Sequence, residues 1–399
     1  MNAAPVPALA MGQGGRGADR IHNRVLAALL IGGLGAAIGL AFLTVAPNRL
    51  VSGTGLALRE LLGPAHAILG LPFAGLVLAI FVRPSRAIHA AVAVSAALLL
   101  TGLVWLAGAE AARQSGTSST LTRVSLGGGF WAVALLIWLM AADALQRLGL
   151  SLAQRAMAHM AVLLPPLVLL GAGALDHLSL LKEYLNRDDV FHAAGLRHMQ
   201  IVAATLLPSL LVGVPMGVAA ARSERLATPL YAVLNVIQTV PSIALFALLI
   251  APLSGLAVAL PGWGIRGIGL LPAVIALTLY ALLPIVHGTT SGLRQVPAAA
   301  IAAATGMGMT ARQVFWRVEV PLALPVLLSG LRVTTVQVIG LAVVAALIGA
   351  GGFGALVFQG LASSALDLVM LGVLPVVALA IVADASLELL TATLRGPQP

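Results

Sequence analysis

The sequence predicts an all-α integral membrane protein of about ten transmembrane helices, and three observations lead there. Apolar residues fill 60% of the 399 positions and charged residues only 9%. Mean hydropathy is +1.05, far above that of soluble domains. The 22 Lys and Arg, against 13 Asp and Glu, stand one to three at a time between apolar stretches. That scatter orients a chain in lipid; it is not the basic patch of a nucleic-acid-binding protein. Cysteine is absent, which excludes disulfides, thiolate metal sites and a Cys nucleophile.

Residues 1–24 are rich in Gly, Ala and Pro and carry Arg16, Arg20 and Arg24. They read as a disordered tail rather than a signal peptide, because the apolar run that follows is too long and lacks a convincing cleavage site. About 20 apolar residues are needed to cross the hydrocarbon core. That length places spans at 25–46, 65–82, 88–108, 126–143 and 157–175, then at 198–221, 229–251, 268–287, 322–347 and 369–391. Residues 25–175 thus form an N-terminal group of five helices, 176–197 an outer connector and 198–395 a second group of five. With both termini inside, thirteen Arg lie in inner segments and eight basic residues in outer ones, with Arg332 inside a span. The positive-inside rule favours that orientation.

Residues 288–321 form the longest inner loop and contain a short helix, begun at Pro297 by an Ala-rich run and broken at Gly306 and Gly308. Polar side chains within spans are costly in lipid, so they face a protein interior or a water-filled path. Asn235, Gln238 and Thr239 stand just before Pro241 and Ser242, where the helix is polar on one side and kinked or broken. Arg332 and Gln337 in the ninth span share the two readings open to this group, a solute path or polar ties between helices. His287 reads as a structural histidine. Asp384 and Glu388, one turn apart, read as a paired, non-catalytic set with Arg395 or Arg147 as partner. No P-loop, HExxH, nucleophile elbow or dinucleotide turn occurs, so no catalytic residues, metal site or cofactor are expected.

Four stretches carry a family resemblance: HMQIVAATLLPSLLVGVPMGVAAAR (198–222), NVIQTVPSIALFALLI (235–250), the loop and its flanks over 280–325, and ALIGAGGFGALVFQGL (346–361). Over roughly 198–395 the chain resembles the integral permeases of binding-protein-dependent ABC importers, and within them the glycine betaine/choline (osmoprotectant) branch. The family's loop pattern falls on Ala302, Ala303, Ala304, Gly308, Val318, Val320 and Pro321, with Gly306 in the same turn. Ala302 replaces the family's leading Glu and removes an acidic contact to the ATPase. Residues 25–175 fall outside the minimal core and look like the additional helices of extended members, with no role assigned by any motif.

The resemblance implies a type I importer core in the bacterial inner membrane that translocates an osmoprotectant by alternating access. It implies cytoplasmic ATPase subunits docked on the 288–321 loop, a periplasmic solute-binding protein and a second permease subunit, identical or different. Selectivity is expected on the binding protein, because quaternary ammonium groups favour aromatic cages and aromatics are only 4% of this chain. The Asn235–Ser242 stretch, Arg332 and Gln337 are the expected translocation path. Rival readings are a permease for methionine or another amino acid, an ion-coupled secondary transporter, and a membrane-embedded enzyme. The two halves show no inverted repeat and no span carries a mid-membrane acidic cluster, which weighs against the second and third.

Overall fold

The computed structural model describes residues 21–48, 51, 53–117 and 122–395. The tail expected over 1–24 lies outside them up to residue 20, as does Arg49. The backbone divides into two compact units, one ending at Leu178 and one beginning at Ser179.

The first unit holds α1 (Arg24–Gly39), the single turn α2 (Leu58–Leu61), α3 (Gly70–Phe81) preceded by a 3-10 turn, α4 (Arg86–Thr117), α5 (Gly128–Arg147) and α6 (Leu152–Gly171). Asn23 caps α1 by accepting from the Leu26 amide at 3.0 Å. Between α1 and α2 lie β1 (Leu43–Ala46) and β2 (Thr54–Leu56), and β3 (Arg123–Leu126) follows α4. They form an antiparallel sheet in the order β2-β1-β3, with Leu43 opposite both Leu56 and Leu126. The described residues are otherwise helical or in turns, as expected, and this small sheet is an addition to that reading. Segments too short to be helical outside the spans still have to pair their backbone, and the sheet supplies the partners. Phe42, fully buried, meets the Phe130 ring edge-on at 5.4 Å and fixes the sheet over α5.

The strand also shortens the first expected span. Leu40 is extended, so α1 has 16 residues and a length of about 24 Å. Among the described residues nine helical segments are long and apolar enough to cross a bilayer, and α1 is a shorter apolar helix beside them.

The second unit holds α7 (Ser179–Leu185), α8 (Asp188–Arg222), α9 (Glu224–Thr239), α10 (Ser242–Ala259), α11 (Leu270–Arg294), α12 (Ala298–Gly306), α13 (Ala311–Val314), α14 (Val320–Val344), α15 (Phe353–Ala362) and α16 (Leu366–Arg395). Residues 188–197, expected in a connector, are the first turns of α8. Asp188 and Asp189 in its first turn complement the helix dipole, and no proline interrupts the helix before Pro208. The expected span 229–251 is two helices, because Val240 is extended ahead of Pro241.

α8 and α11 run parallel. Gly213 faces Ile285, Gly217 faces Thr289, and the Thr290 hydroxyl donates to the Gly217 carbonyl at 3.0 Å. A Cβ on Gly217 would stand 2.5 Å from that of Thr289, so glycine sets the approach. The core beside this contact is apolar and rich in small residues: Ile201, Ala273, Ala276, Leu277, Ala281, Val338 and Ile339 are each almost fully buried. Burial of Gly288, Thr289, Thr290 and Gly292 carries α11 on to Arg294. The loop expected over 288–321 therefore spans only 295–310, since the chain is helical again from Ala311.

Candidate functional site

Three helices of the second unit present polar side chains to one cavity of about 730 Å³. α9 contributes Tyr231, Asn235 and Gln238, spaced i, i+4 and i+7; α11 contributes His287 and Ser291, with its C-cap Gln295 one turn further on; α14 contributes Ser329 and Gln337. Gly288 and Gly330 form part of the wall where α11 and α14 meet. The lining carries amides, hydroxyls and one imidazole but no carboxylate or ammonium.

Prolines shape the wall. Pro284 has no amide hydrogen, which leaves the Tyr280 carbonyl one turn earlier without its helical donor. Gln238 supplies that donor through Nε2 at 2.6 Å, and the Tyr280 hydroxyl donates to the Val240 carbonyl beside the break. The α9–α10 break is thus tied to α11 at two points. We expect Gln238→Leu, which strands the Tyr280 carbonyl, to cost about 1–3 kcal/mol. It should lower solute uptake while leaving expression intact, read by a thermal melt in detergent and by uptake. An unchanged melting temperature would remove Gln238 from this role.

Of the residues expected to line a path, Asn235, Gln238 and Gln337 share the cavity. Thr239 donates within its own helix to the Val236 carbonyl at 2.7 Å, while Pro241 and Ser242 make the break itself. Arg332 is not on the cavity wall: it joins α14 to α16 through Asp384 and through Glu388 at 3.1 Å. Asp384 and Glu388, for which Arg395 or Arg147 was the expected partner, both pair with Arg332. That link crosses two helices far apart in sequence. His287, read from sequence as structural, is a cavity residue with its ring 6.3 Å from that of Tyr231. Ser291, Gln295, Ser329 and Tyr231 were not singled out from sequence, although their one-face spacing was there to find.

At the end of the bundle where α8 and α11 finish, the loop turns through α12. Pro297 is its N-cap rather than its first residue. The amide of Met309 donates to the Ala304 carbonyl at 3.2 Å and that of Gly308 to Thr305 at 2.9 Å, closing the helix on Gly308 at φ +83°. Ala304 is buried, Ala302, Ala303, Gly306 and Gly308 are exposed, and Met307 is 73% exposed at the tip. Thr310 then caps α13, a π-helical turn covers Phe315–Glu319 with Val318 half-buried in it, and Pro321 opens α14. Arg222, at the end of α8, pairs with the buried Glu319 of that turn (Nη1 to Oε1, 3.2 Å) and lies 5.7 Å over the Phe315 ring. Arg294 donates to the Ala220 carbonyl at 3.1 Å and pairs with Glu224 at 2.6 Å.

Comparison with known proteins bears on this architecture. Residues 213–396 match the family described as binding-protein-dependent transport system inner membrane component, and residues 20–181 match one described as ABC transporter permease YehY, N-terminal domain. The osmoprotectant import permease protein OsmW of Salmonella typhimurium is 41% identical over 188 residues, 47% of this chain and 84% of that protein. The chain belongs to this permease family. The carnitine transport permease protein OpuCB of Listeria monocytogenes is 39% identical over 48% of this chain and 82% of that protein. The choline transport system permease protein OpuBB of Bacillus subtilis is 36% identical, covering 47% and 80%. Among solved structures, a chain of an inward-facing MetNI methionine ABC transporter is 22% identical with a TM-score of 0.46, over 51% of this chain and 96% of that one. By the family match and the OsmW relative the protein is a multi-pass membrane permease, a transport component of an ABC importer, and the whole match to the inner-membrane-component family lies in its second unit.

Proposed function

We propose that this permease translocates an osmoprotectant of the glycine betaine/choline class across the inner membrane, in alternation between two access states. The observation that carries the reading is the uncharged polar cavity on α9, α11 and α14, in a chain 41% identical to an osmoprotectant permease. A zwitterion or a soft quaternary cation needs hydration replaced by weak dipoles, and a fixed charge on the wall would hold it too tightly to pass. ATP is hydrolysed on separate cytoplasmic subunits that receive α12 and Met307; a periplasmic binding protein delivers the solute; a second permease subunit completes the path. Both termini are then cytoplasmic, and the 295–310 loop faces the ATPase. The exposed alanines, with Ala302 where the family has Glu, make that docking one of shape rather than charge. Two rigid states of similar energy suffice for ATP binding to shift the balance between them.

The test is uptake of radiolabelled glycine betaine into vesicles that hold this chain with its ATPase and binding protein, with and without ATP. ATP-dependent uptake is expected. Gly308→Trp puts a bulky residue on a left-handed turn, a conformation costing about 1–2 kcal/mol for an L side chain, and should reduce uptake at least tenfold. Uptake that needs no ATP and follows an ion gradient would overturn the reading.

A further inference from the structure

The second unit has another cavity, of about 490 Å³, at the end of the bundle away from α12. It is lined by Arg197 and Ala204 of α8, by Gly264, Arg266 and Gly269 of the α10–α11 segment, and by Gly349 after α14, over an apolar floor. Because α8 and α11 are parallel, the position of Arg197 along α8 puts this cavity about 37 Å from Arg222 and the α12 end. It is separate from the polar cavity and shares no lining residue with it.

Two arginines, Arg197 and Arg266, line this space and no carboxylate does. Arg197 is held in place: its Nε donates to the Ala350 carbonyl at 2.9 Å and its Nη1 to the Gln200 side chain at 3.2 Å. Arg266 is exposed and has no ion-pair partner among the described residues. Like charges lining one concave, partly apolar space raise a positive potential there that favours an anion. A planar carboxylate matches the donor fork of a guanidinium. The volume lies in the range of small-molecule pockets, about 300–1,000 Å³.

We propose that this cavity is an entry site for the carboxylate of a zwitterionic solute, so that the permease itself favours ammonium carboxylates over choline, which lacks the carboxylate. The inference rests on the osmoprotectant reading and gives it a chemical preference: the guanidinium pair attracts the carboxylate end and repels a solute that is only cationic.

The experiment is saturation-transfer NMR of the full-length chain in nanodiscs of zwitterionic lipid, with glycine betaine and choline as separate probes. A glycine betaine signal is expected on the wild type, reduced at least fivefold in Arg266→Gln and largely kept in Arg266→Lys, with choline near background throughout. Equal signals from the two solutes, or a betaine signal unaffected by Arg266→Gln, would overturn the proposal. So would a betaine signal abolished by phosphatidylglycerol discs, which would assign the cavity to a lipid headgroup. Uptake decides the underlying reading separately: betaine binding without ATP-driven uptake would leave a carboxylate site on a permease for another solute.

Discussion

Replacing Gly330 by leucine is expected to abolish ATP-driven uptake and to lower the melting temperature by several degrees. α11 and α14 touch through backbone at this point. A Cβ on Gly330 would lie 3.0 Å from the Pro284 carbonyl oxygen and 3.1 Å from the Gly288 Cα, and a Cβ on Gly288 would lie 3.1 Å from the Gly330 Cα. Neither neighbour is a side chain that can swing aside, so the helices must separate. Overpacking of this kind costs about 1–3 kcal/mol. Because both glycines line the polar cavity, separation also moves Asn235 and Gln238 relative to Ser329 and Gln337. Gly330→Ala should show a graded version, with a smaller melting shift and partial uptake. Gly340→Ala on the same helix, where no atom lies within 4 Å of the added Cβ, should leave both unchanged. A Gly330→Leu protein with wild-type uptake would show that the α11–α14 approach does not set the path.

Part of this site is legible in the sequence. The break at Pro241 follows from proline chemistry, and the apolar lengths located the principal spans because lipid leaves the backbone few alternatives to a helix. The cavity was only half legible. Asn235, Gln238 and Gln337 stand out as amides in apolar runs, whereas Ser291 and Ser329 look like ordinary small residues of a membrane helix until α9, α11 and α14 are seen to converge. What escaped were pairings between distant segments. Nothing in local spacing connects Arg332 to Asp384, 52 residues on, or tells that Gln238 replaces the donor lost at Pro284. The sheet was missed for a related reason: strands of three or four residues give too few alternations to register against the apolar background, and their order depends on β1 pairing with a strand beyond α4.

The second large effect is expected where α8 meets the π-helical turn before α14. The two partners there are unequally placed: the Glu319 side chain is 7% exposed and that of Arg222 is 55% exposed. Removing the carboxylate lets the guanidinium turn toward water, but removing the guanidinium strands a buried charge, for which losses of about 3–5 kcal/mol are known in fully buried pairs. Solvent around Arg222 lowers that figure, and about 2 kcal/mol is expected for Arg222→Ala. Glu319→Gln should cost less than half as much. Combining Arg222→Ala with Glu319→Gln should recover part of the loss, which a thermal melt in detergent will show. The pair also has a mechanical consequence. π-turns insert an extra residue into a helix and often sit at functional positions, and here the turn lies between α12 and the cavity-lining part of α14. If Arg222 clamps that turn to α8, a push on α12 moves both helices as one body. Arg222→Ala should then lower solute moved per ATP hydrolysed severalfold, while hydrolysis by the assembled complex continues. Equal losses in transport and hydrolysis would mean that the pair holds the fold and transmits nothing.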